Sequence, residues 1–127
     1  MIDTILIVDD NPLNHDVFSE ALGHAWILKA VNCIDDAFEL ILEEKISLII
    51  LDVVLNDITA FDFIVRLSQV ENGLDIPVVF LTSMEERGEM HHAMKLGGTD
   101  YIFKPLDIQE IQMTVRNQMR LLELKKI

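Results

Sequence analysis

Short apolar runs that alternate with amphipathic segments constrain the fold of this chain more than any other feature of its sequence. Four runs are rich in β-branched residues and have the length of buried parallel strands, and a fifth is typical of a more exposed edge strand. Strands that alternate with helices in a short chain predict right-handed crossovers and a parallel sheet with helices on both faces. The buried strands are predicted at residues 4–8, 47–51, 78–81 and 101–103, and the edge strand at residues 26–31.

The helices predicted between these strands carry their own start and stop signals. Asn11 followed by Pro12 is typical of a helix start, because asparagine caps the first turn and proline suits the first helical position. His15 and His24 are expected on the surface of this first helix. The remaining predicted boundaries are an end at Gly23, a second start at Asn32 or Asp35, capping-box starts at Thr59, Ser83 and Asp107, and an end of the fourth helix at Gly97 and Gly98.

The composition bounds the function. The chain has 127 residues, of which 50% are apolar, and 22 acidic residues against 10 basic ones give a net charge of −12. A nucleic-acid-binding surface needs the opposite charge. The longest apolar stretch, residues 46–55, is interrupted by Asp52 and too short for a bilayer, and no secretion signal is expected because residues 1–10 show neither a basic region nor a small-residue cleavage site. Cys33 is the sole cysteine, which fits a reducing compartment. We therefore expect one cytoplasmic domain over residues 1–127, with no direct binding to nucleic acid or membrane.

Polar side chains stand at the carboxyl ends of four predicted strands, where ligands of parallel α/β sheets bind. Three carboxylates clustered at one edge repel one another unless a cation is present, and such hard oxygen ligands suit Mg²⁺. A carboxylate could then act as a nucleophile towards a phosphoryl group, with an ammonium and a hydroxyl holding its oxygens. The carboxylates are Asp9, Asp10 and Asp52, the hydroxyl is Thr82 and the ammonium is Lys104.

These residues and their neighbours resemble the receiver domain of two-component response regulators. The resemblance covers essentially the whole chain, and all five positions of the family's site occur in order. It implies a doubly wound α/β fold of the flavodoxin-like type, with five parallel strands in the order 2-1-3-4-5. The motifs are Ile5-Leu6-Ile7-Val8-Asp9-Asp10-Asn11-Pro12, Leu51-Asp52, Leu81-Thr82-Ser83 and Tyr101-Ile102-Phe103-Lys104-Pro105.

The resemblance implies a phosphoryl acceptor and a Mg²⁺ site. Asp52 matches the phospho-accepting aspartate. Asp10 matches a direct Mg²⁺ ligand, and Asp9 matches the neighbour that acts through water. Val54, two residues after the acceptor, would supply a backbone carbonyl to the metal.

The resemblance also implies a switch. Thr82 matches the hydroxyl that follows the phosphoryl group, and Tyr101 matches the aromatic side chain whose rotamer follows the hydroxyl. Lys104 matches the lysine that pairs with phosphate, and its peptide bond to Pro105 is expected to be cis. Two positions depart from the common pattern, because Asn56 and Ala60 stand where proline and glycine often occur.

The implied function is signalling. The phosphoryl donor would be a phosphohistidine of a sensor histidine kinase or phosphotransfer protein, and the output would be a further domain or an effector protein. The domain would assist its own phosphorylation and dephosphorylation without being a turnover enzyme. One alternative is an aspartyl-nucleophile phosphatase of the haloacid dehalogenase type, which needs a second aspartate where this chain has Val54. Another is a non-phosphorylated binding module, which would require a lost site residue. A flavin-binding domain would need a phosphate loop unlike Asp9-Asp10-Asn11-Pro12.

The C-terminal helix has more apolar residues than a core-facing stripe needs. Ile108, Ile111, Val115, Met119 and Leu122 follow helical spacing. Leucines continue beyond Asn117, and exposed leucines in a row indicate an interface. Residues 118–127 are therefore expected to extend towards an output domain or a second copy; the alternative is that the end of the helix frays. The apolar residues in question are Leu121, Leu122, Leu124 and Ile127.

Overall fold

The strands form one parallel sheet. The computed structural model describes residues 2–53, 55 and 59–126, and within them the strand order is β2-β1-β3-β4-β5, as the resemblance implies. All β-ladders are parallel, so the carboxyl ends of the strands share one edge of the sheet. The strands are β1 (Thr4–Val8), β2 (Ile27–Val31), β3 (Leu48–Asp52), β4 (Val78–Thr82) and β5 (Asp100–Phe103).

The helices connect successive strands, and most begin at the predicted cap. Asn11 accepts a hydrogen bond from the backbone N–H of Leu13 at 3.0 Å, and Pro12 takes the first helical position. Thr59 and Asp107 cap the third and fifth helices in the same way. The helices are α1 (Pro12–Leu22), α2 (Ile34–Glu43), α3 (Ala60–Ser68), α4 (Arg87–Met94) and α5 (Ile108–Lys125), and a short 3-10 helix spans Gly73–Asp75.

The hydrophobic core consists of two layers, one on each face of the sheet. Alternate residues of the strands point to opposite faces, so Ile50 packs under α1 and α5, whereas Leu51 packs under α2, α3 and α4. Every residue of β3 and β4 is buried, and β2 is the most exposed strand, as predicted. The central strands therefore hold the residues at their carboxyl ends on a rigid support.

Several predicted boundaries were wrong. The edge strand begins at Ile27, and Trp26 packs against the core beside it. The second helix begins at Ile34, after Cys33, whose side chain makes no capping hydrogen bond. The fourth helix ends at Met94, before the predicted glycines. β1 coincides with its predicted range, whereas β3, β4 and β5 are displaced or extended by a single residue, because polar residues such as Asp52, Thr82 and Asp100 continue the backbone ladder beyond the apolar runs.

The start of α4 shows the largest difference. Ser83 was predicted to cap it, but the helix begins at Arg87. The carboxylate of Glu86 does accept a hydrogen bond from the N–H of Ser83 at 3.0 Å, as in a capping box. The backbone N–H of Glu86 also donates to the carbonyl of Ser83 at 3.1 Å, which closes a turn before the helix. In a complete capping box the N–H of Glu86 would donate to the side chain of Ser83. Here it donates to the backbone carbonyl of Ser83 instead, so these residues form a turn before the helix.

The C-terminal helix buries the predicted stripe and exposes leucines near its end. Ile111, Val115 and Met119 are buried. Leu121 is 51% exposed and Leu124 is 58% exposed. Both line a shallow groove of about 320 Å³ beside Pro77 and Thr99, at the amino ends of β4 and β5. Ile127 lies outside the described residues. Among the described residues, none of the helices combines the length and the apolar character that crossing a bilayer requires.

Candidate functional site

The three predicted carboxylates meet at the carboxyl edge of the sheet. Asp9 and Asp10 follow β1 directly, and Asp52 is the last residue of β3. One carboxylate oxygen from each residue lies within 4.8 Å of the other two. Asp9 and Asp52 are buried and Asp10 is half-buried. Val54, the fourth predicted metal ligand, lies outside the described residues.

The first turn of α1 holds Asp9 in place. One carboxylate oxygen accepts a hydrogen bond from the N–H of Asn11 at 2.8 Å, and the other accepts one from the amide nitrogen of Asn14 at 2.7 Å. The Nε2 atom of His15 lies 2.6 Å from the backbone carbonyl of Asp9. His15 was expected to be a surface residue but is half-buried, because it lies on the side of α1 that faces this loop. Asp9 is thus anchored by the protein, whereas Asp10 is the more accessible carboxylate.

Lys104 connects β5 to the carboxylate of Asp52. Its Nζ atom donates to Oδ1 of Asp52 at 3.1 Å and to Oε1 of Glu86 at 3.3 Å. Burial disfavours the charged ammonium, but the two carboxylates outweigh burial and hold the pKa of Lys104 above its usual value. Its backbone N–H donates to the carbonyl of Thr82 at 2.7 Å, and its peptide bond to Pro105 is cis, as expected.

The two predicted switch residues lie on neighbouring strands. Thr82 is fully buried at the end of β4, and its hydroxyl donates to the carbonyl of Ser83 at 3.2 Å. Tyr101 lies on β5 and is 40% exposed. Its ring contacts Phe103 edge to face, with 5.0 Å between the centroids. The structure thus places a buried hydroxyl and a half-exposed aromatic ring on adjacent strands.

The surroundings of these residues were not predicted from the sequence. Glu86 is the fourth residue of the capping box predicted to start at Ser83, and its contact with Lys104 depends on a turn that this pattern does not specify. Asn14 and His15 lie five and six residues after Asp9, in the first turns of the helix that follows β1. The first turns of α1 face the end of β1, so polar residues in these turns are candidates for contact with Asp9. This pattern in the sequence could have predicted the roles of Asn14 and His15.

The site opens into a cleft of about 510 Å³ at the carboxyl edge of the sheet. Its lining includes Asp10, Asp52 and Lys104. The donor set is one of hard carboxylate oxygens at a partly solvated position, which fits Mg²⁺ because this ion keeps several waters and uses few carboxylates. The arrangement can therefore hold a small divalent cation beside Asp52.

The comparison with known families decides the identity. The family model of the response regulator receiver domain matches residues 5–116. The chain belongs to this family. Receiver domains are phosphorylation-dependent signalling modules of two-component systems, and they generally use Mg²⁺ at an acidic pocket.

Curated relatives carry this receiver domain within longer proteins. The chain is 31% identical, over 92% of its length, to a probable cyclic di-GMP phosphodiesterase of Vibrio cholerae. It is 33% identical, over 91% of its length, to the DNA-binding dual master transcriptional regulator RpaA of Synechocystis. It spans 26% of the first protein and 48% of the second, so most of each relative lies outside the shared receiver domain.

A solved receiver domain supports the fold. The receiver domain of sensor histidine kinase PA1611 from Pseudomonas aeruginosa superimposes with a TM-score of 0.81 at 24% sequence identity. The match covers 93% of this chain and 98% of that one, and the published structure has a magnesium ion coordinated in its active site cleft. At this identity the likeness establishes the shared five-stranded fold.

Proposed function

We propose that Asp52 is the residue that accepts the phosphoryl group. A carboxylate oxygen of Asp52 would form a bond to phosphorus while the bond from phosphorus to the donor breaks, and the donor keeps the electron pair of that bond. The observation that carries the proposal is the position of Asp52: it lies 3.1 Å from the ammonium of Lys104 and shares an acidic cluster with Asp9 and Asp10. Lys104 would then pair with the oxygens of the transferred group.

The metal site follows from the same cluster. Asp10 and Asp52 would hold Mg²⁺ directly, Asp9 would hold it through water, and the backbone carbonyl of Val54 would complete the protein ligands. The hydrogen bonds from Asn11 and Asn14 to Asp9 support an indirect role for that carboxylate, because both of its oxygens already accept a donor. When bound, the cation supplies positive charge that offsets the repulsion between carboxylate and phosphoryl group.

The switch would lie on β4 and β5. A phosphoryl group on Asp52 offers an acceptor to the hydroxyl of Thr82, which at present donates to the carbonyl of Ser83. Movement of Thr82 would change the packing against the neighbouring strand, and the half-exposed ring of Tyr101 would turn with it.

The proposed partners match this chemistry. The donor is a phosphohistidine of a sensor histidine kinase or phosphotransfer protein in the cytoplasm, and the receiver is a signalling module rather than a turnover enzyme. The net charge of −12 argues against direct binding to nucleic acid or anionic membrane. The output would be a further domain or an effector protein, and the longer relatives support an attached domain.

The end of α5 is proposed to contact that output domain or a second copy of the chain. Leu121 and Leu124 are more than half exposed and line the groove beside Pro77 and Thr99. Burying them in a contact would remove apolar surface from water. The receiver domain would then span residues 1–127, with residues 118–127 extending towards the partner.

Labelling with a small phosphodonor tests the acceptor. Acetyl phosphate and Mg²⁺ should add one phosphoryl group to the wild-type protein, and hydroxylamine should remove it, because it cleaves acyl phosphates. The variant Asp52→Asn should gain no phosphoryl group in intact-mass analysis. Asp16→Asn, a change of the same charge at an exposed position of α1, is the control and should label normally. Full labelling of Asp52→Asn would exclude Asp52 as the acceptor.

A further inference from the structure

The carboxylate of Glu86 accepts hydrogen bonds from two donors that lie close to Asp52. Its Oε1 atom accepts from the N–H of Ser83 at 3.0 Å and from Nζ of Lys104 at 3.3 Å. The Glu86 side chain is 21% exposed, so its charge is partly shielded from water. The same Nζ atom donates to Oδ1 of Asp52 at 3.1 Å. Glu86 and Asp52 are therefore linked by two hydrogen bonds that share the Nζ atom of Lys104.

A phosphoryl group on Asp52 would need hydrogen-bond donors of this kind. The group adds negatively charged oxygens to the carboxylate, and they extend into the space around Lys104. Ser83 follows Thr82 at the end of β4, and the register pairs Asp52 with Leu81, so the N–H of Ser83 lies at the same edge of the sheet. A carboxylate already held there repels an incoming anion and uses donors that the anion requires.

We propose that Glu86 is a positioning residue that holds Lys104 and the N–H of Ser83 in the unphosphorylated protein and competes with the phosphoryl group for both. This inference rests on the proposed function of Asp52. When the phosphoryl group is present, the carboxylate of Glu86 leaves these donors. The turn between Ser83 and Glu86 then loses one of its two hydrogen bonds, and this turn leads directly into α4. Glu86 thereby couples the charge at Asp52 to the start of α4.

The test measures how tightly the protein binds beryllofluoride, a phosphoryl analogue, in the presence of Mg²⁺. The variant Glu86→Gln keeps the size of the side chain and removes its charge. We expect it to bind beryllofluoride about fivefold more tightly than wild type, the factor that a partly exposed ion pair of this kind supplies. The amide signal of Ser83 in a ¹H–¹⁵N NMR titration reports occupancy at the donor itself, and Glu86→Ala should give a gain of the same sign.

The control is Glu85→Gln, which removes the same charge one residue away. Glu85 is exposed, and Glu85→Gln should change the affinity for beryllofluoride by less than half as much as Glu86→Gln does. A purely structural role for Glu86 predicts the opposite sign, because loss of a support for Lys104 would weaken binding.

The outcomes separate the two proposals. Unchanged or weaker binding by both Glu86 variants, with wild type binding normally, overturns the role of Glu86 and leaves Asp52 as the acceptor. An equal gain in Glu85→Gln also overturns it, because the effect would then be one of general charge. Wild-type binding that is absent, or that persists in Asp52→Asn, removes the proposed function and this inference with it.

Discussion

The acidic cluster should destabilise the protein when Mg²⁺ is absent, and the variant Asp10→Asn makes that cost measurable. One oxygen of Asp10 lies within 4.8 Å of an oxygen of Asp9 and of Asp52. Two unit charges at this distance repel by about 3.5 kcal/mol at an effective dielectric constant of about 20. Asp10 is half-buried, and the positive charge of Lys104 offsets part of the negative charge of the cluster. We therefore expect the free energy of unfolding of Asp10→Asn to exceed that of the wild type by about 1 kcal/mol.

Mg²⁺ should make the wild type more stable than Asp10→Asn, which reverses their order of stability. A cation present at about a hundred times its dissociation constant stabilises the wild type by about 2.7 kcal/mol. Asp10→Asn has lost a direct ligand and should keep only a small part of this gain. In EDTA the variant should melt about 4 °C above wild type, and in saturating Mg²⁺ it should melt below wild type.

Thermal unfolding followed by circular dichroism, with and without Mg²⁺, measures both effects. High salt should reduce the advantage of the variant in EDTA, because salt screens repulsion between partly exposed charges. Asp16→Asn should change neither melting temperature by more than about 1 °C. If Asp10→Asn melts below wild type in EDTA, or gains the full stabilisation from Mg²⁺, the electrostatic account of the cluster is wrong.

Two further predictions concern the helices. If α5 pairs with a second copy, the double variant Leu121→Ser and Leu124→Ser should shift sedimentation towards the monomer. Met113→Ser, at another exposed position of α5, should leave sedimentation unchanged. A wild-type protein that is monomeric at all concentrations, with and without phosphorylation, would refute pairing between copies. Phe63 is fully buried against Phe38, so Phe63→Ala should lower the free energy of unfolding by about 3–5 kcal/mol in urea titrations. Phe61→Ala, at a half-buried position, should cost less than half as much; equal losses would contradict the packing argument.

The parallel sheet and the meeting of the carboxylates were predictable from features that are local in the sequence, whereas the strand order was predicted from the resemblance to receiver domains. The apolar runs determine which segments are buried strands, and parallel strands place their carboxyl ends together. Asp9, Asp52 and Lys104 therefore meet although β1, β3 and β5 are distant in the chain. Helix starts were predicted well where a side chain caps the backbone directly, as at Asn11, and poorly at Cys33, where no side-chain cap exists.

The environment of Lys104 was not predictable in the same way. Its bond to Glu86 depends on how four residues between β4 and α4 turn, and a capping pattern is compatible with more than one such turn. The half-buried position of His15 depends on how α1 is rotated against the loop after β1, which helical periodicity specifies only coarsely. Contacts between loops are decided by tertiary packing, and a single sequence carries little signal for them.

The groove lined by Leu121 and Leu124 and the acidic cleft that contains Asp52 lie at opposite ends of the same strands. Pro77 and Thr99, which line the groove, precede β4 and β5, whereas Thr82 and Lys104 stand at their other end. A strand of five residues separates the two ends by about 17 Å. A protein seated on the groove would leave the cleft open, so kinase and output partner could occupy the domain at the same time. Signal strength would then be limited by the lifetime of the phosphoryl group rather than by exchange of one partner for the other.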